Sequence, residues 1–323
     1  MSVHQANVIR ISKVLPHPNA ESLGICQIGG FSVCVRLEDF KAGDLAIYIE
    51  PDTICPDTPE FAFLGNNKKI RVRRFRGYPS QGLLIKAPPE AKEGDDYFDT
   101  LLLRHYEPGD PATMGGDNES GPPGFYPTYD VENYRKHSRW FNGVGEVVAS
   151  EKLHGCNSSF TSVSGAMHCR SRTNWKKQDP DCLWWVALDQ NPWIKEWCQQ
   201  HEGLVLYGEV FGQVQNLKYG ANGRQYFFRA FDIWNTAKSC WLDFDEAMGL
   251  IVDAGKWVPV LYRGPFDAEL LLSLSEGPTT IPGANHIREG VVVRPVKEML
   301  AGHGMNERLQ LKIVSSTYLE KIK

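Results

Sequence analysis

The sequence predicts an α+β protein of two domains: a small β-barrel, then a larger domain of mixed strands and helices. Three observations carry that expectation. The chain has 323 residues, a length that suits two domains. The run from Glu107 to Gly124, EPGDPATMGGDNESGPPG, holds nine Gly or Pro residues and reads as a linker. Before it the apolar runs are short and punctuated by turns, whereas after it strand-like and helix-like patterns mix. The expected domains are therefore 1–110 and 128–323, with a Gly/Pro-rich linker at 111–127.

In the first domain, residues 8–11 (VIRI) and 22–28 are strand-like, and Gly29-Gly30 marks a turn. Residues 31–36 and 45–49 follow at short spacing, with Gly43-Asp44 between them. Short strands at this spacing suit a five-stranded oligonucleotide-binding (OB) barrel. In the second domain, residues 145–149, 203–212, 226–234, 290–295 and 309–315 read as strands. Residues 182–190 read as a helix that Pro192 interrupts, and 193–200 as a second. A third is expected at 244–254, with Asp243 as its cap and Gly255 as its stop.

The net charge of −4 does not announce a nucleic-acid binder, although a local basic stripe is enough to grip phosphates. No pair among the eight cysteines has C-x-x-C spacing, which leaves a zinc site of the usual kind without support. Residues 1–13 lack the apolar stretch of a secretory signal, and no apolar run approaches the roughly 18 residues of a membrane helix. The expectation is a soluble, intracellular chain, cytoplasmic and monomeric.

The chemistry lies in an ordered series. Glu151-Lys152-Leu153-His154-Gly155-Cys156-Asn157 follows the strand-like 145–149. Ser171-Arg172-Thr173 is expected on the next strand. Gly208-Glu209-Val210 and Phe231-Asp232-Ile233 lie in apolar strands, followed by Glu289-Gly290-Val291-Val292 and Leu311-Lys312-Ile313. Charges in apolar strands are costly to bury without partners. Each has a bland alternative: Glu209 pairing with Arg229 across a sheet, Phe231 as core, Glu289 and Lys312 as strand-end surface charges. The order in which they recur is not bland.

The series KLHG, SRT, YGEVFG, FRAFDIW, EGVVV and LQLKI resembles the motifs of the covalent nucleotidyltransferases, the polynucleotide ligases and messenger-RNA capping enzymes. His154 and Asn157 resemble the RNA-ligase version, and the nearest branch is similar to the Deinococcus-type RNA ligases, which place an OB-like module first. The resemblance covers about residues 129–323. It implies an ATP-grasp-like ligase domain of antiparallel sheets with flanking helices, and an ATP-dependent RNA ligase working in RNA repair with Mg²⁺ or Mn²⁺. By resemblance, Lys152 attacks the α-phosphorus of ATP and becomes lysyl-AMP. AMP then passes to an RNA 5′-phosphate, and a 3′-hydroxyl displaces it, with a nicked duplex as the expected partner. Glu209 binds the ribose, Phe231 stacks on adenine, and Arg172 contacts phosphate or the 3′ end. Glu289 holds the metal, Lys312 binds the α-phosphate, and Asn157, Glu151 and Leu153 border the nucleotide. Two departures are Gln310, where such ligases often have a second Lys, and Arg294, where some relatives have Lys. A Lys amine must lose its proton to attack, and a Lys312 cation or a bound metal would help remove it.

In the first domain, His17-Pro18-Asn19-Ala20 resembles a segment of tRNA-binding OB modules, or is a plain loop. Lys68, Lys69, Arg71, Arg73, Arg74 and Arg76 fall within nine residues, alternating with Ile70 and Val72. A strand there would present one apolar and one basic face, suited to RNA phosphates or to protecting a sheet edge. Nearby Phe75 and Tyr78 offer rings for stacking. Eleven residues follow Lys312, too few for the C-terminal OB domain usual in DNA ligases and capping enzymes. The rivals are a capping-type guanylyltransferase, a DNA ligase, and a non-catalytic RNA-binding relative.

Overall fold

The computed structural model describes residues 4–106, 115–301 and 308–321. Its contacts divide the chain into two compact units, Met1–Pro108 and Gly109–Lys323. Part of the expected linker, residues 111–114, lies outside the described residues, while Glu119 already pairs with Trp175 of the second unit.

In the first unit, β1 (Val8–Arg10), β5 (Leu45–Ile49) and β9 (Leu83–Lys86) form one antiparallel sheet. A second comprises β2 (Val14–His17), β3 (Ala20–Ile28) and β4 (Phe31–Arg36). Cys26, Val33, Val35, Ala46, Tyr48 and Leu84 from the two sheets share one core. Ile47 and Ile49 instead join a second core with Val8, Phe61 and Ile70. Successive side chains of a strand alternate faces, so β5 is buried on both and reads as an unbroken apolar run. Short β6 (Thr53–Ile54) later pairs with β10 (Arg104–His105).

The expected basic strand is shorter than its sequence pattern. The segment splits: Lys69 makes an isolated bridge to Ile54, and β7 (Val72–Phe75) forms a hairpin with β8 (Tyr78–Gln81). Arg76 and Gly77 both have positive φ at the turn, the backbone that matches the twist of a two-residue hairpin.

The second unit holds two sheets. The five-stranded sheet runs β11 (Glu132–Asn133), β21 (Leu311–Val314), β20 (Gly290–Pro295), β12 (Glu146–Lys152), β19 (Val260–Pro265). Its β11–β21 pair is parallel, a departure from the antiparallel expectation; the other pairs are antiparallel. The six-stranded antiparallel sheet runs β15 (Trp175–Lys176), β14 (Ala166–Arg170), β13 (Cys156–Val163), β16 (Leu204–Gly212), β17 (Tyr226–Asn235), β18 (Cys240–Trp241). Helices α2 (Leu183–Gln190) and α3 (Trp193–Gln200) bury Leu183, Trp184, Ile194 and Cys198 in the core they share with this sheet. Helix α1 (Tyr134–His137) is a single turn. The third expected helix stops early: α4 is Phe244–Gly249. After Gly249, β-branched Val252 is unfavourable in a helix, and Asp253 accepts from the amide of Gly255 to start a separate turn. Asp243 sits at the cap position, but its carboxylate accepts from Lys297 Nζ (2.8 Å) and the Glu298 amide (2.7 Å) instead. Helices α5 (Ala268–Leu274) and α6 (Ser316–Lys321) complete the unit. Among the described residues, no helix is long and apolar enough to cross a membrane.

Candidate active site

Strand alternation builds the site. On the five-stranded sheet, Val147, Ala149, Val291, Val293, Leu311 and Ile313 enter a core with Leu271 of α5. The intervening residues, Ser150, Lys152, Val292, Arg294 and Lys312, therefore face the other way and line a cleft of about 230 Å³. Asn157 of β13, Glu209 of β16 and Phe231 of β17 line it from the six-stranded sheet. Register makes the meeting explicit: Lys152 pairs with Gly290, Val292 with Lys312, and Asn157 with Glu209. Glycine at 155 is required because a Cβ there would strike the main chain of Val210 and Phe211 where the loop crosses β16.

Lys152 Nζ lies 2.8 Å from Glu289 Oε1. Burial disfavours the Lys152 cation, but the carboxylates of Glu289 and Glu209 outweigh it and raise its pKa. The ion pair with Glu289 thus favours the protonated form of Lys152, against the help that Lys312 was expected to give in removing the proton. Lys312 takes the opposite path. Burial, reinforced by the Lys152 cation, brings it down to about 8. The two carboxylates also diverge. Burial alone would raise Glu289, yet Lys152 and His154 bring it down to about 2. Burial pushes Glu209 up to about 8, with Lys152 opposing and Glu289 adding to the rise. Glu209's register partner Arg229 instead donates to the Trp257 carbonyl at 3.3 Å.

The remaining expected residues divide. Glu289 immediately precedes β20 rather than lying in it. Its Oε2 is 3.5 Å from His154 Nδ1; His154 Nδ1 is 3.1 Å from the Tyr318 hydroxyl, and its amide donates to Tyr219 at 2.8 Å. Arg172 lines the cleft from the bend after β14, not from a strand, and is ion-paired with Asp130. Glu151 and Leu153 also border it. Leu153 is buried in the core. The Glu151 carboxylate, 2% exposed, accepts from the Thr279 hydroxyl and from the amide (2.8 Å) and hydroxyl (2.6 Å) of Thr280.

Sequence reasoning missed the floor beneath Phe231. Tyr129 packs 4.5 Å from the Phe231 ring, and its hydroxyl lies 3.0 Å from Asp232 Oδ2 and 2.8 Å from Gln310 Oε1. Asp232 is fully buried between Arg294 (3.0 Å) and Arg308 (2.8 Å). Both guanidiniums also reach Glu298. Burial would raise the Asp232 pKa, but the two arginines bring it below the usual carboxylate range. Asp232 stood in the FDIW motif; its partners Tyr129, Arg294 and Arg308, all distant in sequence, carried no local signal. The Gln310 amide donates to the Asp130 carbonyl at 2.9 Å. Gln310 and Arg294, the two departures, thus hold this floor together.

In the first unit, the six basic residues also divide. Lys68 pairs with Asp57 (2.9 Å), and Lys69 pairs with Asp52 (3.1 Å) and lies 3.3 Å over the Tyr106 ring. Arg71, Arg73, Arg74 and Arg76 are exposed, as is Phe75. The HPNA element braces their hairpin: His17 Nε2 is 2.9 Å from the Phe75 carbonyl, and Asn19 donates to the Arg76 carbonyl at 2.9 Å.

Comparison with known proteins bears on the fold and the family. The sequence profile of an OB-fold domain matches residues 5–87. Among curated proteins none matches the chain in sequence. Solved structures of the Naegleria gruberi RNA ligase superpose over nearly its whole length. A variant with ATP and Mn has 23% identity and a TM-score of 0.83, covering 98% of each chain. Another with AMP and Mn has 24% identity and a TM-score of 0.83, covering 99% of each. The form with PPi has 24% identity and a TM-score of 0.82, covering 99% of this chain and 98% of that one. The profile of the RNA ligase family matches residues 145–314, more than half of the 323 and the whole stretch from β12 to β21, and the chain belongs to the RNA ligase family.

Proposed function

We propose that this RNA ligase consumes ATP, uses Lys152 as its nucleophile, and joins 3′-hydroxyl and 5′-phosphate ends, with nicked RNA duplexes as the substrate and the monomer as the working unit. The carrying observation is one cleft that gathers Lys152, Lys312, Glu209 and Phe231 from both sheets. The similar Naegleria enzyme, solved with ATP and Mn, supports the same nucleotide and a divalent ion. Lys152 would first give up its proton to solvent, and its free amine then forms a P–N bond to the α-phosphorus as the bond to pyrophosphate breaks. AMP then moves to the RNA 5′-phosphate, regenerating the amine, and the 3′-hydroxyl attacks that phosphate and releases AMP. Lys312 would neutralise the α-phosphate, where positioning and electrostatics dominate. Phe231, floored by Tyr129, would take the adenine, Glu209 and Asn157 the ribose and acceptor side, and Arg172 a phosphate. Glu151 and Leu153 would border the nucleotide, Glu151 through its fixed loop.

The cleft fits Mg²⁺ or Mn²⁺. Glu289 Oε2 is buried with no hydrogen-bond partner among the described residues, His154 Nδ1 standing off at 3.5 Å, and no group of three His, Cys, Asp or Glu among the described residues forms a ready cage. One carboxylate plus water and phosphate oxygens suits a hard ion that keeps much of its hydration, held by Glu289. When bound, that ion would neutralise phosphoryl charge. Incubation with α-labelled ATP and Mg²⁺ or Mn²⁺, beside GTP, tests the reading. ATP should label the wild type and not Lys152→Ala; absence of label with either metal would remove its central step, and GTP labelling would favour a capping enzyme.

The exposed arginines 71, 73, 74 and 76 support RNA binding by the first unit, together with Lys68 and Lys69 beside them.

A further inference from the structure

A second cavity, of about 280 Å³, opens in the ligase unit and takes no part in the scheme above. Half-exposed Trp193, the first residue of α3, and Phe227 of β17 line it with Phe211, Tyr219, Arg229 and Lys256. Lys256 Nζ lies 5.2 Å from the Trp193 ring centroid, and Trp193 packs 5.7 Å from Phe228. Half-buried Arg229 spends one donor on the Trp257 carbonyl and has Asp253 as an acidic neighbour. Asp253 in turn accepts from the Gly255 amide at 2.8 Å. Two cations thus share the cavity with the partly exposed rings of Trp193 and Phe227.

This combination suits a base and its phosphate together. A ring face stacks on any base, a Lys or Arg grips the phosphate, and neither demands a particular sequence. A quaternary ammonium ligand is disfavoured because Lys256 and Arg229 would repel it. The cavity also borders the catalytic elements. Tyr219, one of its walls, accepts the His154 amide, and Phe211 follows Glu209 by two residues on β16.

We propose that this cavity holds one unstacked nucleotide of the RNA being joined, its base against Trp193 or Phe227 and its phosphate between Lys256 and Arg229. The proposal rests on the ligase reading of Lys152. Free nucleotide has the same chemistry, so the test separates the two sources. Trp193→Leu and Lys256→Glu, neither in the catalytic cleft, are compared with wild type in two assays: labelling by ATP, and sealing of nicked RNA that is already adenylylated. Labelling rate and KM for ATP should stay within about twofold, while KM for the adenylylated RNA rises ~5- to 30-fold for Trp193→Leu. For Lys256→Glu, the slope of log KM against log salt should become shallower by about 1. An unchanged RNA KM in Lys256→Glu, whose side chain is not core, overturns the proposal even if Trp193→Leu folds poorly. A rise in the ATP KM alone overturns it in favour of a free-nucleotide site. If wild type neither labels nor seals, the ligase reading falls first and takes this proposal with it.

Discussion

Replacing Asp232 by Asn removes one charge from the floor of the nucleotide cleft and almost no volume. Asp232 is fully buried and engages Arg294, Arg308 and the Tyr129 hydroxyl. Breaking a buried pair typically costs ~3–5 kcal/mol because a charge is left uncompensated. Here Glu298 still contacts both guanidiniums, so the low end, about 3 kcal/mol, is expected. For a unit of this size that is a fall in Tm of ~6–12 °C. Thermal unfolding followed by circular dichroism reads it directly, and filter-binding or labelling titrations should show a raised KM for ATP as Tyr129 loosens beneath Phe231. Combining Asp232→Asn with Arg308→Gln should cost less than the sum of the two single changes, since the second removes one of the orphaned cations. A Tm within about 2 °C of wild type would refute the view that this carboxylate holds the floor together.

Three further expectations concern other groups. Lys152→Ala should abolish labelling by ATP while leaving Tm within a few degrees, and residual label would place the nucleophile elsewhere. Because Lys312 is brought down to about 8, it is a cation below that pH and neutral above it. KM for ATP should therefore climb above pH 8, by up to about tenfold per unit, and Lys312→Arg, which stays charged, should flatten the profile; parallel profiles would contradict a phosphate contact. Arg73→Glu with Arg76→Glu on the β7–β8 hairpin should raise KM for nicked RNA and make its salt dependence shallower without altering labelling by ATP, whereas unchanged RNA kinetics would assign the hairpin to edge protection.

What the sequence revealed followed from local patterns. Short strand-like apolar segments at 290–295 and 309–315 placed the strands that carry Val292, Arg294 and Lys312, and the motif order singled out Lys152, Glu209, Phe231 and Glu289. Hidden features depended on distant partners. Tyr129 and Asp130 had no motif to announce them; their roles come from Gln310 and Arg172, far away in the chain. Glu151 looked like a nucleotide contact, and nothing local said that Thr279 and Thr280 would close on its carboxylate. In the basic segment, composition could not distinguish Lys68 and Lys69, which meet Asp57 and Asp52, from the exposed arginines. Nor could it show that His17 and Asn19, singled out separately, would brace the hairpin on which those arginines stand.

Gly155 shows how closely the placement of Lys152, the proposed nucleophile, depends on packing between the sheets. Lys152 ends β12 in one sheet, and Cys156 begins β13 in the other; the three residues between them make the crossing. A methyl group at 155 would meet the main chain at Val210 and Phe211, which a strand paired on both sides cannot readily yield. The crossing would have to lift, carrying His154 and Lys152 away from Glu209. A misplacement of about 1 Å can lower a rate on the order of 100-fold, although the core helices and both sheets would remain. Gly155→Ala should therefore retain its circular dichroism spectrum and lose roughly that factor in single-turnover labelling by ATP. A variant that labels within about threefold of wild type would mean that the crossing has slack, and that the spacing between Lys152 and Glu209 is not what the reaction depends on.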